Sequence, residues 1–392
     1  MTSERLFLDH NATSPLRPAA RAAMTEALLQ PGNPSSVHAE GRAARGLIEQ
    51  ARQQVAKPVG VAARCVTFTS GATEANGQAL SPAIEVGGRP MHFDVLLVSA
   101  VEHPSVRAGG RFPTDAVESI AVDGEGLVDL AGLQSALSRH GAAGRRALVS
   151  VMVANNETGV IQPVAEIARS VHAAGGLMHS DAVQVAGRIP FDIVSSGADL
   201  ISISSHKLGG PQGAGAIIVR DESIRVPPLL IGGGQERGAR PGTENVAAIA
   251  GFGAALEEAV GALNPVAARQ VELRNTAEAG IRSIAPDVVV IGAGVERLPN
   301  TICFSVPGIL AETAIIAFDL EGVALSAGAA CSSGKVGPSE TLRAMQIESS
   351  IARGAMRLSI GWDTNENDIS RFLDVWKRVY LNLDQRRRER AA

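Results

Sequence analysis

Short apolar runs alternate with helical patterns from about residue 16 to residue 260, and this alternation restricts the possible folds more than any other feature of the chain. Helix candidates such as residues 39–57 repeat apolar side chains on one face. The apolar runs lie at residues 65–69, 95–99, 147–153, 176–179, 200–204 and 214–219. Strands that alternate with helices predict an α/β fold, with a mostly parallel sheet covered on both faces.

The pattern changes after Asn264-Pro265, which marks a domain boundary. Strand candidates at residues 288–291, 301–306, 323–326 and 356–360 alternate with helix candidates at residues 266–284, 310–321 and 366–382. This arrangement indicates a smaller α+β domain. We predict a large domain over residues 15–260 and a small domain over residues 261–392, which also takes in residues 1–14. The charged tail at residues 386–390 is expected to be a frayed, solvated end.

Composition and charge exclude several classes of protein. The 392 residues are 45% hydrophobic and 19% charged, and a net charge of −4 gives no electrostatic footprint for nucleic acid or a membrane. No apolar run approaches membrane-spanning length. Three widely spaced cysteines, Cys65, Cys303 and Cys331, argue against a disulfide framework or a zinc site. They favour a reducing compartment, and a cytoplasmic location is therefore expected.

Lys207 stands where a β-branched apolar run passes into a glycine-rich turn. Burying an ammonium group is costly unless its charge is paired or removed. A Schiff base with an aldehyde cofactor removes that charge and is a recognised form of covalent catalysis. A surface lysine at a strand end is the alternative, and this segment alone does not decide between the two.

Two further strand ends carry groups suited to a cofactor. At residue 71 a strand gives way to a helix, so the backbone N–H groups of Gly71, Ala72 and Thr73 can form a phosphate cup with the Thr73 hydroxyl. Asp181 follows a buried strand at the edge where α/β sheets bind ligands, and its carboxylate suits a protonated pyridine nitrogen. Ordinary helix capping is the alternative for both segments.

Polar side chains that suit a flat ring or a carboxylate occur at three more positions. His103, in a Glu-His-Pro motif, can stack on a ring and move protons near neutral pH. Asn155, in Asn-Asn-Glu-Thr-Gly, offers an amide to a ligand. Arg357 begins a strand in the small domain, and its guanidinium can bind a carboxylate with two hydrogen bonds. A structural role is the alternative for His103 and Asn155.

Cys331 lies in a run of glycine and small residues, 325–334, that is unsuited to a packed core. Free cysteine usually behaves as a buried hydrophobic residue, and the strand-like surroundings of Cys65 and Cys303 fit that role. A thiol among small residues instead suits a nucleophile that travels to its target and hands on cargo.

Taken in order, these motifs resemble those of pyridoxal-phosphate-dependent cysteine desulfurases, in the class V aminotransferase-like family of fold type I. They are Ser-Gly-Ala-Thr-Glu-Ala-Asn, Glu-His-Pro, Asn-Asn-Glu-Thr-Gly, Asp-Ala-Val-Gln, Ser-Ser-His-Lys, Gly-Gly-Gly-Gln-Glu-Arg-Gly and Ala-Cys-Ser-Ser. The resemblance runs from about Leu8 to about Ile369, and residues 331–342 resemble the branch with an extended cysteine loop. It implies a seven-stranded, mostly parallel sheet in the large domain, and a small domain that carries the cysteine loop.

The resemblance implies which residues contact the cofactor ring. Lys207 would form the Schiff base, and Asp181 would pair with the pyridine nitrogen. Gln184 would contact the phenolic oxygen, and His103 would stack on the ring.

Other residues would hold the phosphate and the substrate. Asn155 and Arg357 would bind the substrate carboxylate. Thr243 would reach the phosphate of a neighbouring subunit, which implies a homodimer. The phosphate-binding residues would be Gly71, Ala72, Thr73, Ser204 and His206.

The implied reaction starts from L-cysteine, whose Cα proton the freed Lys207 amine would remove. Cys331, as a thiolate, would attack the substrate sulfur and leave alanine and a persulfide. A free thiol has a pKa of about 8.5, so a base or a favourable field is needed, and His103 is the candidate. A sulfur-acceptor protein such as an iron–sulfur scaffold would take the sulfur. No resident metal is implied, although Cys331 is a possible cluster ligand during the transfer.

Other reactions on the same scaffold stay open, namely selenocysteine lyase, another C–S lyase or a transaminase. A rival of a different class is a non-catalytic sulfur-relay or scaffold protein that keeps only the fold. Three positions depart from the family pattern: His10 near the start, Pro241 beside Thr243, and Trp362 after an Ile-Gly pair. We expect these departures to affect the substrate entrance and the identity of the sulfur acceptor, and not the reaction that the enzyme catalyses.

Overall fold

The computed structural model describes residues 5–328 and 339–391. Its strands are β1 (Leu6–Phe7), β2 (Val66–Thr69), β3 (Ala83–Val86), β4 (Arg89–His92), β5 (Val95–Ser99), β6 (Val117–Ile120), β7 (Ala147–Ser150), β8 (Leu177–Asp181), β9 (Leu200–Ser204), β10 (Gly215–Val219), β11 (Ile224–Arg225), β12 (Val289–Ile291), β13 (Thr301–Ser305), β14 (Val323–Ala324), β15 (Ser326–Ala327) and β16 (Met356–Ser359). Its helices are α1 (Pro18–Leu28), α2 (Ala39–Ala56), α3 (Ala72–Ala79), α4 (Pro104–Arg107), α5 (Leu130–Ala142), α6 (Val164–Ala173), α7 (Ile193–Ser196), α8 (Val246–Gly261), α9 (Leu263–Ile284), α10 (Ala311–Leu320), α11 (Glu340–Ala344), α12 (Ser349–Ala352) and α13 (Glu366–Ala391).

A seven-stranded, mostly parallel sheet forms the centre of the fold, as the resemblance implies. Its order is β2-β10-β9-β8-β7-β5-β6, and every neighbouring pair is parallel except the two pairs that contain β10. The central strands β5, β7, β8 and β9 are buried along their whole length because helices cover both faces. The edge strand β6 buries only Ile120, and for this reason it leaves no apolar run in the sequence.

Three helices, α1, α2 and α8, pack together on one side of this sheet. The amphipathic α2 turns Ala44, Ile48 and Val55 inward, whereas α8 is apolar around most of its surface and is largely buried. Asn245 caps α8 by accepting a hydrogen bond from the backbone N–H of Ala248 at 3.2 Å. Within the described part of the chain, no single helix is long and apolar enough to cross a membrane. The pair α8 and α9, bent by 72°, passes that test together by length and composition.

A second hydrophobic core lies between α9, α10, α13 and the antiparallel sheet β12-β13-β16-β15. Its centre is an aromatic cluster in which Phe318 stacks on Phe372 and Trp376, with ring centroids 5.8 and 5.9 Å apart. The start of the chain joins this core because β1 pairs in parallel with β14. A domain boundary between residues 260 and 261 stays a prediction.

The charged tail differs from the expectation of a frayed end, since α13 continues to Ala391. Arg387 pairs with Asp287 at 2.6 Å, and Arg388 pairs with Asp384 one helical turn earlier at 2.8 Å. A pair within one helix such as Arg388–Asp384 stabilises it by about 0.3–0.5 kcal/mol. The sequence pattern shows the charges but not Asp287, which lies 100 residues away along the chain.

The side chain of His179, on the central strand β8, lies between two serine hydroxyls of the neighbouring strands. Its Nδ1 lies 2.8 Å from Ser150 Oγ on β7, and its Nε2 lies 3.0 Å from Ser202 Oγ on β9. Complete burial lowers the pKa of His179 from 6.5 to about 3, so the ring is neutral in the folded protein at pH 7. The two hydroxyls satisfy both ring nitrogens without a charge.

We expect His179 to make stability depend on pH. Its pKa in the folded state lies below that in the unfolded chain, so its contribution is complete above pH 6.5 and is lost as the pH falls towards 3. Within this window the loss is on the order of 1.4 kcal/mol per pH unit. Denaturant unfolding between pH 5 and pH 7 should therefore show a flatter profile for His179→Gln than for the wild type. The exposed His92→Gln is the control, and an unchanged slope in His179→Gln would contradict the assignment.

Candidate active site

The carboxyl ends of β2, β5, β7, β8 and β9 meet at one cavity of about 560 Å³. This is the edge at which α/β sheets bind their ligands. The residues predicted from the sequence that line the cavity are Gly71, Ala72, Thr73, His103, Asp181, Gln184, Ser204, His206 and Lys207. The fold therefore gathers most of the predicted cofactor residues in one place.

Lys207 ends a short 3-10 turn, Ser205–Lys207, that continues directly from β9. Its Nζ donates to the backbone oxygens of Asn11 and Ala12, at 2.7 Å in each case. The amine is half-buried in the cavity wall. This placement favours the interpretation of Lys207 as a reactive amine over that of a solvated strand-end lysine.

Asp181 is the last residue of β8 and is 6% exposed. Its Oδ2 accepts a hydrogen bond from Asn76 Nδ2 at 2.8 Å, and its Oδ1 accepts one from the backbone N–H of Val183 at 3.0 Å. Each oxygen keeps a lone pair for a further donor. The carboxylate is therefore held rigidly with capacity for a cationic N–H group in the cavity.

His103 caps α4 and its tautomer is fixed by its neighbours. Nδ1 accepts the backbone N–H of Ser105 at 3.2 Å and lies 2.8 Å from Ser105 Oγ, which in turn accepts a hydrogen bond from Asn76. A backbone N–H can only donate, so the neutral ring carries its proton on Nε2. Burial lowers the pKa of His103, an effect that Asp181 opposes and that Lys207 and Arg107 strengthen. In this resting geometry the ring is a proton donor, which fits poorly with the role of a base.

The anion-binding side of the cavity is the N-terminus of α3. Its N-cap residue, Gly71, supplies no capping side chain, so the first N–H groups of the helix stay available. The backbone of β10 lies close against this turn. A Cβ at Gly215 would be 2.7 Å from both the Cα and the carbonyl carbon of Gly71. Glu74, which also lines the cavity, accepts a hydrogen bond from Ser70 N at 2.7 Å and pairs with Arg240 at 2.9 Å. The geometry suits a phosphate group.

His206 also lines the cavity and is neutral at pH 7. Burial lowers its pKa to about 4, and Lys207 and Arg188 add to the shift. Its Nδ1 lies 3.2 Å from Thr13 Oγ1, so Thr13, which also lines the cavity, fixes the ring.

Asn155 has a buried side chain that is occupied by backbone partners. Its Nδ2 donates to Val101 O at 3.0 Å, and its Oδ1 accepts the N–H groups of Glu157 and Thr158 at 2.8 and 2.9 Å. The next residue, Asn156, lines the cavity instead. The predicted contact between Asn155 and a substrate stays a prediction.

Arg357 lies on β16, almost completely buried, with its guanidinium bonded to Asp9 at 2.6 Å and to Asn156 O at 2.9 Å. Thr243 is exposed and is not part of the cavity wall formed by its own chain. Cys331 lies outside the described residues.

Glu157 fixes the chain on both sides of the segment that contains Cys331. Its carboxyl accepts hydrogen bonds from Ser339 Oγ at 2.6 Å and Thr341 Oγ1 at 3.1 Å, and Gly328 packs against it. Burial raises the pKa of Glu157, while the hydrogen bonds from Ser339 and Thr341 oppose that shift. No role for Glu157 was predicted from the sequence, although Glu157 directly follows Asn156, which lines the cavity.

Asn11 is a further residue without a role in the sequence interpretation. Besides accepting from Lys207, it donates through Nδ2 to Thr301 Oγ1 at 2.9 Å and through its backbone N–H to Ser359 Oγ at 2.9 Å. It therefore connects the amine of Lys207 with β13 and β16. The sequence feature that could have pointed to Asn11 is its neighbour His10, which departs from the family pattern. His10 itself is buried against Phe7 and Gly361 and does not line the cavity.

Trp362, another departure from the family pattern, braces the same N-terminal segment. Its Nε1 donates to Pro15 O at 3.4 Å, and the Arg17 guanidinium lies 5.0 Å from the centre of its ring.

Known proteins similar to this chain agree with the geometry. The family model described as Aminotransferase class-V matches residues 6–372. The cysteine desulfurase IscS of Dictyoglomus turgidum is 38% identical over 383 residues, which cover 96% of this chain and 95% of the relative. A cysteine desulfurase of Cereibacter sphaeroides is 40% identical over 378 residues, 95% of each chain. The crystal structure of a NifS-like protein from Rickettsia africae superposes with a TM-score of 0.85 at 33% identity, over 96% of this chain and 99% of the other.

Substituting Gly215 should weaken the phosphate cup. In Gly215→Ala the new Cβ would meet the backbone of Gly71 at 2.7 Å and force the start of α3 to move. Overpacking of this kind costs about 1–3 kcal/mol, so we expect the binding of pyridoxal phosphate to the cofactor-free protein to weaken by about 5- to 150-fold. The measurement is an absorbance titration. Gly46→Ala is the control, because a Cβ there meets nothing within 4 Å, and equal affinities in the two variants would refute the proposed cup.

Proposed function

The chain belongs to the class-V aminotransferase family, and on this premise we propose that it is a pyridoxal-phosphate-dependent cysteine desulfurase. It would convert L-cysteine to L-alanine and pass the sulfur on as a persulfide of Cys331. One observation carries the proposal: Lys207 presents its amine to a cavity that also holds Asp181 and the N-terminus of α3.

The donors and acceptors of the cavity fit pyridoxal phosphate. The N-terminus of α3 offers N–H groups and a favourable dipole to a phosphate. Asp181 offers a fixed carboxylate to a protonated ring nitrogen, and Lys207 offers an amine to an aldehyde. When bound, the cofactor supplies an electron sink for negative charge at the Cα of the substrate.

Lys207 is the residue placed to move the Cα proton. Lys207 lies in the cavity wall, where its Nζ can take the proton from the Cα of a bound amino acid. The backbone oxygens of Asn11 and Ala12, 2.7 Å from Nζ, can stabilise the ammonium that forms when the proton is taken. These two carbonyl groups therefore orient the base.

His103 contributes a flat neutral ring and an N–H group at Nε2. The hydrogen bonds from Ser105 to Nδ1 hold this tautomer. Its lowered pKa keeps the ring uncharged at pH 7 next to Lys207. The ring can then stack on a flat ligand and donate a hydrogen bond to it from Nε2.

Arg357 supplies the positive charge for the substrate carboxylate. Its partner Asp9 also accepts a hydrogen bond from Ser326 at 2.8 Å, so the guanidinium is held between β16 and the N-terminal segment. A substrate carboxylate would compete with Asp9 for the guanidinium. Such competition makes the strength of substrate binding sensitive to Asp9.

A homodimer and a sulfur acceptor complete the proposal. Thr243 is exposed and lies near Leu230 and Ile231 in the sequence, which are 57% and 102% exposed, so this segment suits contact with a second copy. The acceptor is a protein that takes persulfide sulfur, such as an iron–sulfur scaffold. The cytoplasmic location expected from the cysteine pattern stays a prediction.

The variant Cys331→Ser tests the sulfur transfer. We expect release of alanine and sulfide from L-cysteine to fall by at least about a hundredfold, because the nucleophile is lost. The change in visible absorption on adding L-cysteine should persist, since Lys207 and Asp181 are intact. Mass spectrometry of the wild type after L-cysteine should find a persulfide on Cys331. Cys65→Ser is the control and should keep full activity, because Cys65 lies outside the cavity wall and burial raises the pKa of its thiol.

Other outcomes would identify a rival function. A transaminase would be indifferent to Cys331→Ser, and a selenocysteine lyase would act on selenocysteine alone. Sulfur found only on Cys65 or Cys303 would reject the role of Cys331. A protein without any absorption change on binding pyridoxal phosphate would be a non-catalytic relay.

A further inference from the structure

Arg188 is a buried arginine behind the cavity wall, and no step described above uses it. Its Nη1 donates to Asn11 Oδ1 at 2.7 Å and to Gln184 Oε1. Its Nη2 donates to the backbone oxygens of His10 and Lys207, at 2.8 Å each. The guanidinium of Arg188 thus bonds to Gln184 in the cavity wall and to the backbone of Lys207. It also bonds to the segment His10–Asn11, which accepts a hydrogen bond from the Lys207 amine.

All four of these acceptors are neutral groups. Over residues 5–328 and 339–391, Arg188 makes no ion pair with a carboxylate. Burial lowers the pKa of Arg188 to about 9, and Arg357 and Arg17 act in the same direction, so the group stays charged at neutral pH. A buried cation without a counter-ion is costly. An anionic ligand in the adjacent cavity would supply the missing negative charge.

The contact with Arg188 fixes the orientation of the Gln184 amide. An arginine side chain can only donate, so the amide atom that faces it must be the oxygen Oε1. The amide nitrogen Nε2 then donates one hydrogen to Asn11 O at 3.1 Å and keeps a second N–H. Gln184 lines the cavity, so it can offer a ligand there a donor and not an acceptor.

We propose that Arg188 is a positioning residue that forces Gln184 to act as a hydrogen-bond donor towards the phenolic oxygen of the cofactor. The proposal rests on the proposed function, in which Gln184 faces that oxygen. The positive charge of Arg188 acts in the same direction as the donor, because both favour negative charge on the oxygen. A neutral residue at position 188 would leave the amide free to turn its oxygen towards the ligand.

A pH titration of the visible absorption of the cofactor-loaded enzyme measures this effect. A donor to the phenolic oxygen and a nearby cation both disfavour the protonated form of the bound cofactor. Loss of either one therefore raises the pH at the midpoint of the absorption change. For Arg188→Met we expect a rise of about one pH unit, which is tenfold in the protonation equilibrium.

A double-mutant cycle separates positioning from charge. Gln184→Leu removes the donor, and it should also raise the midpoint. If Arg188 acts through Gln184, the combined shift in Arg188→Met/Gln184→Leu is smaller than the sum of the single shifts. Arg188→Lys keeps the charge but cannot bond all four acceptors. We therefore expect its pH midpoint to rise by less than that of Arg188→Met. If Arg188→Met does not fold, Arg188→Lys is used for the test instead.

Arg274→Met is the control, because Arg274 is half-buried and, like Arg188, bonds only neutral acceptors, including Leu298 O at 2.9 Å. It lies outside the cavity wall, and its midpoint should equal that of the wild type. An unmoved midpoint in a folded Arg188 variant, or strictly additive shifts, overturns the proposal while the proposed function stands. Absence of the visible absorption in the wild type would instead reject the proposed function.

Discussion

The hydrogen bonds from the Lys207 amine to the backbone oxygens of Asn11 and Ala12 tie the reactive group to both hydrophobic cores. Lys207 follows a strand of the large sheet, whereas the N-terminal segment enters the smaller core through β1 and β14. Asn11 adds side-chain and backbone bonds to Thr301 and Ser359 on strands of that core. The position of the amine therefore depends on how the two cores pack, which explains why residues near the start of the chain shape a site built mainly from strand ends.

The charges around the cavity form a consistent set. Lys207 and Arg188 place positive charge at one wall, and Arg357 adds a third cation beside Asp9. The two histidines nearby stay neutral, since burial lowers the pKa of His103 and of His206 and the neighbouring cations strengthen the effect. An environment of this kind favours ligands that bring phosphate and carboxylate groups. Both histidine rings are uncharged at pH 7 and can therefore stack on a ligand or donate a hydrogen bond to it.

The sequence predicts the parts of the site that follow from local pattern. Lys207 and Asp181 each end an apolar strand, and parallel strands bring their carboxyl ends to one edge of the sheet. Contacts between distant segments leave no such pattern, which is why the role of Arg188, 177 residues from Asn11, could not be predicted. The asparagine pair shows a finer limit. The sequence indicates that an asparagine of this pair offers its amide to a ligand. It does not show that the side chain of Asn155 bonds within its own turn, whereas Asn156 lines the cavity.

Chemical trapping of the cofactor tests the central claim most directly. The sequence holds only four lysines, Lys57, Lys207, Lys335 and Lys377, so a modified lysine can be assigned by peptide mapping. The cofactor-loaded enzyme is reduced with sodium borohydride, digested and analysed by mass spectrometry. The account predicts a stable phosphopyridoxyl group on Lys207 and on no other lysine. A modification on Lys57, Lys335 or Lys377, or none on Lys207, would contradict it.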